Sequence, residues 1–314
     1  MQTWSIKKIL DWAINFFKVK GIPQHRLSAE LLLSGVLNLS RMQLYLNYSY
    51  VLTPQELKKY KNFILKRLEF VPIQYILSEA YFRNIKLYVD RSVLIPRPET
   101  ELLVDKALLC IKEILNCKKY VNILEIGVGS GAISISIALE IDNILTDDKS
   151  GSSKSDLSWH LVAIDSSSGA LKIARKNAED ILDSSKLGNI EFIEDDIIPE
   201  KDLKFIEKYK KNIDLIVSNP PYISEADYQK LPREVKEYEP KSSLLAGESG
   251  LEVYEKIFSK IKPYIASDLC YIVLETDPRV SDSLKKLAGS QFDSKGVEID
   301  KDYNKRDRIL TIRI

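Results

Sequence analysis

Histidine is nearly missing from this chain. His25 and His160 are the only two in 314 residues, and neither sits among other ligand-type side chains. That argues against a histidine general base. The three cysteines, Cys110, Cys117 and Cys270, are odd in number and show no C-x-x-C spacing. This pattern argues against a disulfide framework or a zinc site, so no metal is expected. Charge of one sign is also lacking: the net charge is +1, which gives no support to a strong nucleic-acid binder. No apolar run reaches the length of a membrane span. The opening stretch MQTWSIKKILDWAINFFKVKG carries Lys7, Lys8 and Asp11 among its apolar residues, which reads as an amphipathic helix rather than a signal peptide. These absences lead to the expectation of a cytoplasmic protein, a monomer, with no direct contact to nucleic acid or membrane.

What is present suits a globular protein: 45% apolar and 29% charged residues. The length fits one large or two ordinary domains. Residues 1–77 read as helical. Ile6, Ile9, Leu10, Ala13 and Phe17 share one helical face. RLSAELLLSGVLN gives a second helix, and Thr53-Pro54 caps a third over PQELKKYKNFILKRLEF. Pro72 then breaks the pattern. No chemistry is visible in this bundle, which is expected to hold a partner or dock on the main domain. Residues 78–95 are expected to form a β-hairpin linker, with alternation across AYFRNIKLYVDRSVLI and a turn at Arg83-Asn84. Residues 96–314 change class. After PRPETELLVDKALLCIKEIL, strands and helices alternate: VNILEIG, SGAISISIALE, HLVAID, SGALKIARKNAEDIL, NIEFIE, NIDLIVS, GLEVYEKIFSKIKPYIA and LCYIVLE. Such alternation predicts an α/β fold with a parallel sheet between helical layers. The closing VEIDKDYNKRDRILTIRI predicts two further strands at an antiparallel edge. Residues 142–158, rich in Asp, Ser and Lys, are expected to be a mobile surface insert.

Gly127, Gly129 and Gly131 in LEIGVGSGAI fall between a strand and a helix. Glycines there allow a tight turn and close approach of a ligand to the backbone. The spacing is G-x-G-x-G rather than the G-x-G-x-x-G of dinucleotide enzymes. Glu125 precedes it and disfavours a phosphate while favouring an ammonium group. The next strand ends in Asp165, a natural acceptor for two ribose hydroxyls. An adenosine with an amino-acid tail and no phosphate describes S-adenosylmethionine. The third strand runs into Asp195-Asp196-Ile197. One of these carboxylates could accept the adenine amino group while Ile197 packs on the ring; a solvated acidic loop accounts for them equally well.

The strand NIDLIV ends in Ser218-Asn219-Pro220-Pro221-Tyr222. Strand ends on the carboxyl side of an open α/β sheet face the ligand crevice, and two prolines stop the chain from continuing as helix or ladder. An amide or aromatic-amine nitrogen is a poor nucleophile because its lone pair is delocalised. Its NH2 offers two donors, which the Asn219 side-chain oxygen and the Pro220 carbonyl can accept. That grip orients the nitrogen and stabilises the charge growing on it during alkylation. Tyr222 offers a ring face to a planar group. No deprotonated base is needed before attack, in keeping with the shortage of histidine.

With these residues in place, the chain resembles the HemK/PrmC family of glutamine N5-methyltransferases that modify peptide-chain release factors. The resemblance runs through VLIPRPETE, LEIGVGSGAI, AIDSSSGALKIARKNA, DLIVSNPPYI and YEPKSSLLAGESGLEVY, in the family's order. It implies a small helical N-terminal domain, a hairpin linker and a Rossmann-like, seven-stranded, mostly parallel class I methyltransferase domain. It implies S-adenosyl-L-methionine as cofactor and class I release factors as protein partners, the substrate being the glutamine of a Gly-Gly-Gln loop. By position, Glu125, Gly127, Val128, Gly129, Ser130, Gly131, Asp165, Asp196, Ile197 and Asn219 would contact the cofactor. Asn219, Pro220, Pro221 and Tyr222 would hold the glutamine amide, and Arg97, Glu99 and Thr100 would form the lip of its pocket. Departures from the family pattern are Val128 in place of threonine, Ile197 in place of an aromatic ring, and Thr276 rather than glycine after Glu275. One rival is a DNA adenine-N6 methyltransferase using the same corner on a flipped base. It should carry a basic face, which the charge balance does not supply. Another is a non-catalytic binding protein that keeps the fold.

Overall fold

The computed structural model describes residues 3–146, 157–292 and 296–314, and the chain divides into two compact units. The first comprises Met1–Glu79 together with Pro232–Tyr238. Its opening helix, Ile6–Val19, starts where the Ser5 hydroxyl accepts from the Lys8 amide, and it buries the face expected from spacing: Ile6, Ile9, Leu10, Ala13 and Phe17. The helices His25–Leu37 and Pro54–Leu68 complete the core with Leu32, Leu33 and Tyr60. Thr53 and Glu56 cap the latter reciprocally, with proline at its first position. Two short helices, Arg41–Leu46 and Ile73–Leu77, were not foreseen because each is too brief to show a period.

Residues 232–238 were expected with the α/β part of the chain. They cluster instead with the helical bundle, and specific contacts explain it. Arg67, 3% exposed, reaches the Val71 carbonyl at 3.0 Å and the Glu234 carboxylate at 2.7 Å. The Arg233 guanidinium stacks 4.8 Å from the Phe70 ring centre, and the Tyr238 hydroxyl donates to the Glu69 carbonyl at 2.7 Å. A buried guanidinium needs a partner charge, and the bundle itself leaves Arg67 to be neutralised from this distant segment.

The second unit, Ala80–Leu231 with Glu239–Ile314, opens with a hairpin of strands β1 (Ala80–Phe82) and β2 (Ile85–Leu87). Arg83 takes the left-handed conformation at its turn. Regular pairing stops at Leu87, so residues 88–95 correct the expectation of a longer hairpin. The main sheet contains β3 (Tyr120–Ile126), β4 (Ser158–Asp165), β5 (Ile190–Glu194) and β6 (Leu215–Ser218). A small parallel pair follows, β7 (Ile223–Ser224) with β8 (Leu245–Gly247). The main sheet then resumes with β9 (Tyr271–Glu275), β10 (Gly296–Lys301) and β11 (Asp307–Arg313). Its order is β10-β11-β9-β6-β3-β4-β5. The five strands from β9 to β5 are parallel and the last hairpin is antiparallel. This is the seven-stranded class I methyltransferase sheet that the resemblance implied. The chain leaves β3 outward through β4 and β5, then returns to β6 on the other side. The crevice expected at such a reversal lies at the carboxyl ends of β3 and β6.

The helix Ala132–Thr146 extends through the first five residues of the expected insert, and β4 begins at its last residue, Ser158. The rest of that insert, 147–156, lies outside the described residues. Among the described residues, no helix is long and apolar enough to cross a membrane.

At the amino end of the sheet Asp214 is fully buried. Its carboxylate takes the Lys118 ammonium at 2.6 Å and the Asn122 amide at 2.8 Å. Removing one partner of such a pair strands the other charge. Asp214→Ala is therefore expected to cost about 3–5 kcal/mol of stability, read as a lowered urea midpoint at unchanged m-value.

Candidate active site

The carboxyl ends of β3, β4, β5 and β6 open into a cavity of about 270 Å3. Twelve of the residues singled out from sequence line it: Arg97, Thr100, Gly127, Val128, Gly129, Ser130, Asp165, Asp196, Ile197, Asn219, Pro220 and Pro221. Glu99, Glu125, Gly131 and Tyr222 are not among its lining residues.

The glycine turn has two jobs. All three glycines adopt left-handed φ, at 78°, 54° and 82°. A Cβ on Gly127 or Gly129 would meet nothing within 4 Å, so the space above the turn is open to a ligand. A Cβ on Gly131 would sit 3.0 Å from Ile135 Cδ1 and 3.4 Å from Ala174 Cα. At that third position the absence of a side chain lets the turn pack closely against Ile135 and Ala174. The turn is tied down by Asn177, which donates to the Ser130 and Tyr88 carbonyls at 2.8 and 3.0 Å. Nothing in the local sequence marks Asn177 as more than a helical residue.

Asp165 accepts from the amides of Gly129 and Ser167, both at 2.9 Å, one on each carboxylate oxygen. Burial pushes its carboxyl above the usual range, and the two amides partly offset this. Each oxygen retains a lone pair for a further donor. Glu125 behaves differently. On β3 it points to the face opposite Leu124 and Ile126. There it is fully buried, one oxygen accepts from the Ser134 hydroxyl, and Oε1 has no partner. Burial pushes its carboxyl well above the ordinary value. Its carboxyl thus faces the Ser134 side of the sheet and is not part of the cavity lining. Ile197, 2% exposed, gives the cavity an apolar wall. Asp196 also lines it, but its carboxylate is half exposed and paired with Lys256. Lys256, Ser242 and Ser243 line the cavity from later segments, and their sequence context gave no signal.

At the proline corner, the Ser218 hydroxyl donates to the Ile126 carbonyl at 2.7 Å and pins β6 against β3. The Asn219 Nδ2 group donates to Thr100 Oγ1 at 3.1 Å. With its NH2 end so engaged, the amide oxygen is the end left for a ligand. Thr100 is buried at the start of the helix Thr100–Leu115. It holds Asn219 from beneath as well as lining the cavity. Tyr222 is half-buried against the core, with its hydroxyl 3.4 Å from Glu275 Oε1; its ring is braced behind the corner rather than in the cavity. Arg97 does line the cavity, held by Glu239 at 2.6 Å. Glu99 faces Arg308 at 3.7 Å.

Gly250 is a residue that sequence reading missed. It has φ +87°, and a Cβ there would lie 2.7 Å from the Tyr222 carbonyl oxygen. Gly250→Ala is expected to destabilise the protein by about 2 kcal/mol, combining left-handed strain with displacement of the corner. Thermal unfolding alongside turnover would check it: turnover should fall even at temperatures where the variant remains folded.

A diol acceptor, an apolar wall, open space over a backbone turn and an inward-facing amide oxygen together suit an adenosine-type cofactor beside a planar NH2 group. Among the described residues, no group of three or more His, Cys, Asp or Glu is placed to hold a metal.

Comparison with known proteins agrees with this geometry. A family model described as the PrmC N-terminal domain matches residues 8–77. The chain is 36% identical to the release factor glutamine methyltransferase of Chlorobaculum tepidum over 311 residues, 99% of this chain and 97% of that protein. It is 31% identical to the corresponding protein of Rhodopirellula baltica over 99% of this chain and 96% of that one. The one from Bacillus cereus is also 31% identical, over 97% and 98%. The chain belongs to the release factor glutamine methyltransferase family.

Proposed function

We propose that this protein methylates the side-chain amide nitrogen of the glutamine in the Gly-Gly-Gln motif of class I peptide-chain release factors, in the cytoplasm. S-adenosyl-L-methionine, when bound, supplies an electrophilic methyl group on a sulfonium. Asp165 would hold the ribose hydroxyls, Ile197 would pack against the adenine, and the open backbone at Gly127 and Gly129 would admit the remainder. Asn219 and the Pro220 carbonyl would accept the two hydrogens of the glutamine NH2. That pairing orients the nitrogen and offsets the positive charge that develops on it, and both acceptors are fixed beforehand. The nitrogen sheds its extra proton after alkylation, when it has become acidic, so no buried base is required.

The single observation carrying this reading is the Asn219 amide, tied by its nitrogen to Thr100. An acceptor is thereby left for a planar donor. The test is mass spectrometry of a purified release factor after incubation with the protein and cofactor. A gain of one methylene mass on the Gly-Gly-Gln peptide is expected. An unmodified peptide with full occupancy of the cofactor would overturn the assignment.

A further inference from the structure

Charge around the cavity is balanced pair by pair. Among the described residues, four charged side chains line it: Arg97, Asp165, Asp196 and Lys256. Asp165 is held by backbone amides. Both cations are matched by carboxylates, Lys256 by Asp196 and Arg97 by Glu239. The two pairs differ in setting. Lys256 and Asp196 are each half exposed, so water screens their charges and the pair is worth little. Glu239 is buried, with 2% of its side chain exposed. Arg97 Nη2 donates to one of its oxygens at 2.6 Å, and the Ile95 amide donates to the other at 3.3 Å. The backbone places Arg97 near the Asn219 corner: its carbonyl accepts from the Thr100 amide at 3.1 Å, and the Thr100 hydroxyl holds Asn219.

We propose that Glu239 is a specificity-determining residue: by neutralising Arg97 it keeps the cavity from repelling a positively charged cofactor, and so sets how the protein ranks a sulfonium against the neutral thioether that methyl transfer leaves. The inference rests on the reading of S-adenosyl-L-methionine as the methyl donor. Sulfur keeps the electron pair of the broken bond when the methyl passes to the amide nitrogen, so its positive charge disappears. Cofactor and product therefore differ by one methyl group and one unit of charge. Their adenosine and amino-acid portions are the same. An unbalanced cation in the lining opposes the sulfonium and leaves the thioether alone.

A guanidinium is always charged in a protein, so Arg97 can only be balanced, not switched off. A carboxylate drawn from the open surface would be loosely held and screened by salt. Glu239 is taken out of water and tied at both oxygens, which fixes the balancing charge beside the one it offsets. A purely structural tie predicts that losing Glu239 weakens both ligands alike. Charge balance predicts that the sulfonium suffers more.

The test is titration calorimetry of the whole chain with the cofactor and with its demethylated thioether, which needs no turnover. Glu239→Gln keeps the size and one acceptor and removes the charge. It should weaken the sulfonium relative to the thioether by roughly 10-fold, the scale of one unbalanced charge across a protein-lined cavity at an effective dielectric constant of about 20. The double variant Arg97→Gln/Glu239→Gln removes both charges and should return the ratio of the two affinities to that of the wild type. Ser242→Lys sets a new cation on an exposed part of the lining without touching the buried pair. It should shift the ratio in the same direction even where Glu239→Gln does not fold. An unchanged ratio in folded Glu239→Gln would overturn the proposal, as would a double variant that kept the altered ratio. If Glu239→Gln does not fold, an unchanged ratio in Ser242→Lys would overturn it equally. A wild type that binds neither ligand would instead count against the cofactor reading itself.

Discussion

Asn219→Ala is expected to lower turnover on a release factor by roughly 10²–10³-fold, about 3–4 kcal/mol, the scale of one preorganised polar group at a reacting centre. The argument begins with placement. Asn219 follows β6, whose four residues are all buried and whose last hydroxyl is pinned to β3. Pro220 and Pro221 remove the backbone freedom that would let the next carbonyls drift. Its Nδ2 group is anchored on Thr100, so the acceptor is oriented before a substrate arrives. Alanine removes that acceptor and leaves both the sheet and the glycine turn intact. Cofactor affinity, measured by calorimetry, should therefore change far less than turnover. A variant that kept near-normal methylation would show that the amide does not grip the substrate.

The second large effect is expected on binding. Asp165→Ala should weaken cofactor affinity by about 3 kcal/mol, a little over 100-fold, the scale of hydrogen bonds to a charged group. Two losses add. The ribose loses its acceptor, and the Gly129 and Ser167 amides lose the carboxylate that fixes the turn. Turnover at saturating cofactor should recover much of its normal value, because Asp165 lies on β4 and not at the Asn219 corner. Titration calorimetry checks the first statement and saturation kinetics the second. Equal affinity in variant and wild type would remove the ribose role from Asp165.

The class of the fold was plain in the chain because the central parallel strands β6 and β9 are buried on both faces, and such strands stand out as short apolar runs between amphipathic helices. NIDLIVS and LCYIVLE needed no tertiary information. The pair Ile223–Ser224 and Leu245–Gly247 did need it, since two-residue contacts between distant segments leave no period. The cavity's glycines and Asp165 were legible because strand ends at a switch point share one rim. Glu125 was misjudged because strand alternation turned it away from its neighbours, a matter of facing rather than of proximity. Thr100 was found, but as a lip residue. Its bond to Asn219, 119 residues away, follows only from the fold, which brings the helix start to the end of β6. Glu239, Lys256 and Gly250 were invisible for the same reason: their partners are Arg97, Asp196 and the Tyr222 backbone.

The helical unit is not one continuous piece of chain, and that limits how the molecule can be taken apart. A fragment cut to begin at Ala80 would still carry Glu234, Arg233 and Tyr238, now without Arg67, Phe70 and the Glu69 carbonyl. A fragment ending at Glu79 would keep Arg67 in an apolar interior with its counter-ion deleted. Neither half is a natural excision product, so dissection by truncation should yield material that clumps or is readily digested, whereas grafting residues 232–238 back by a short tether would restore the first half.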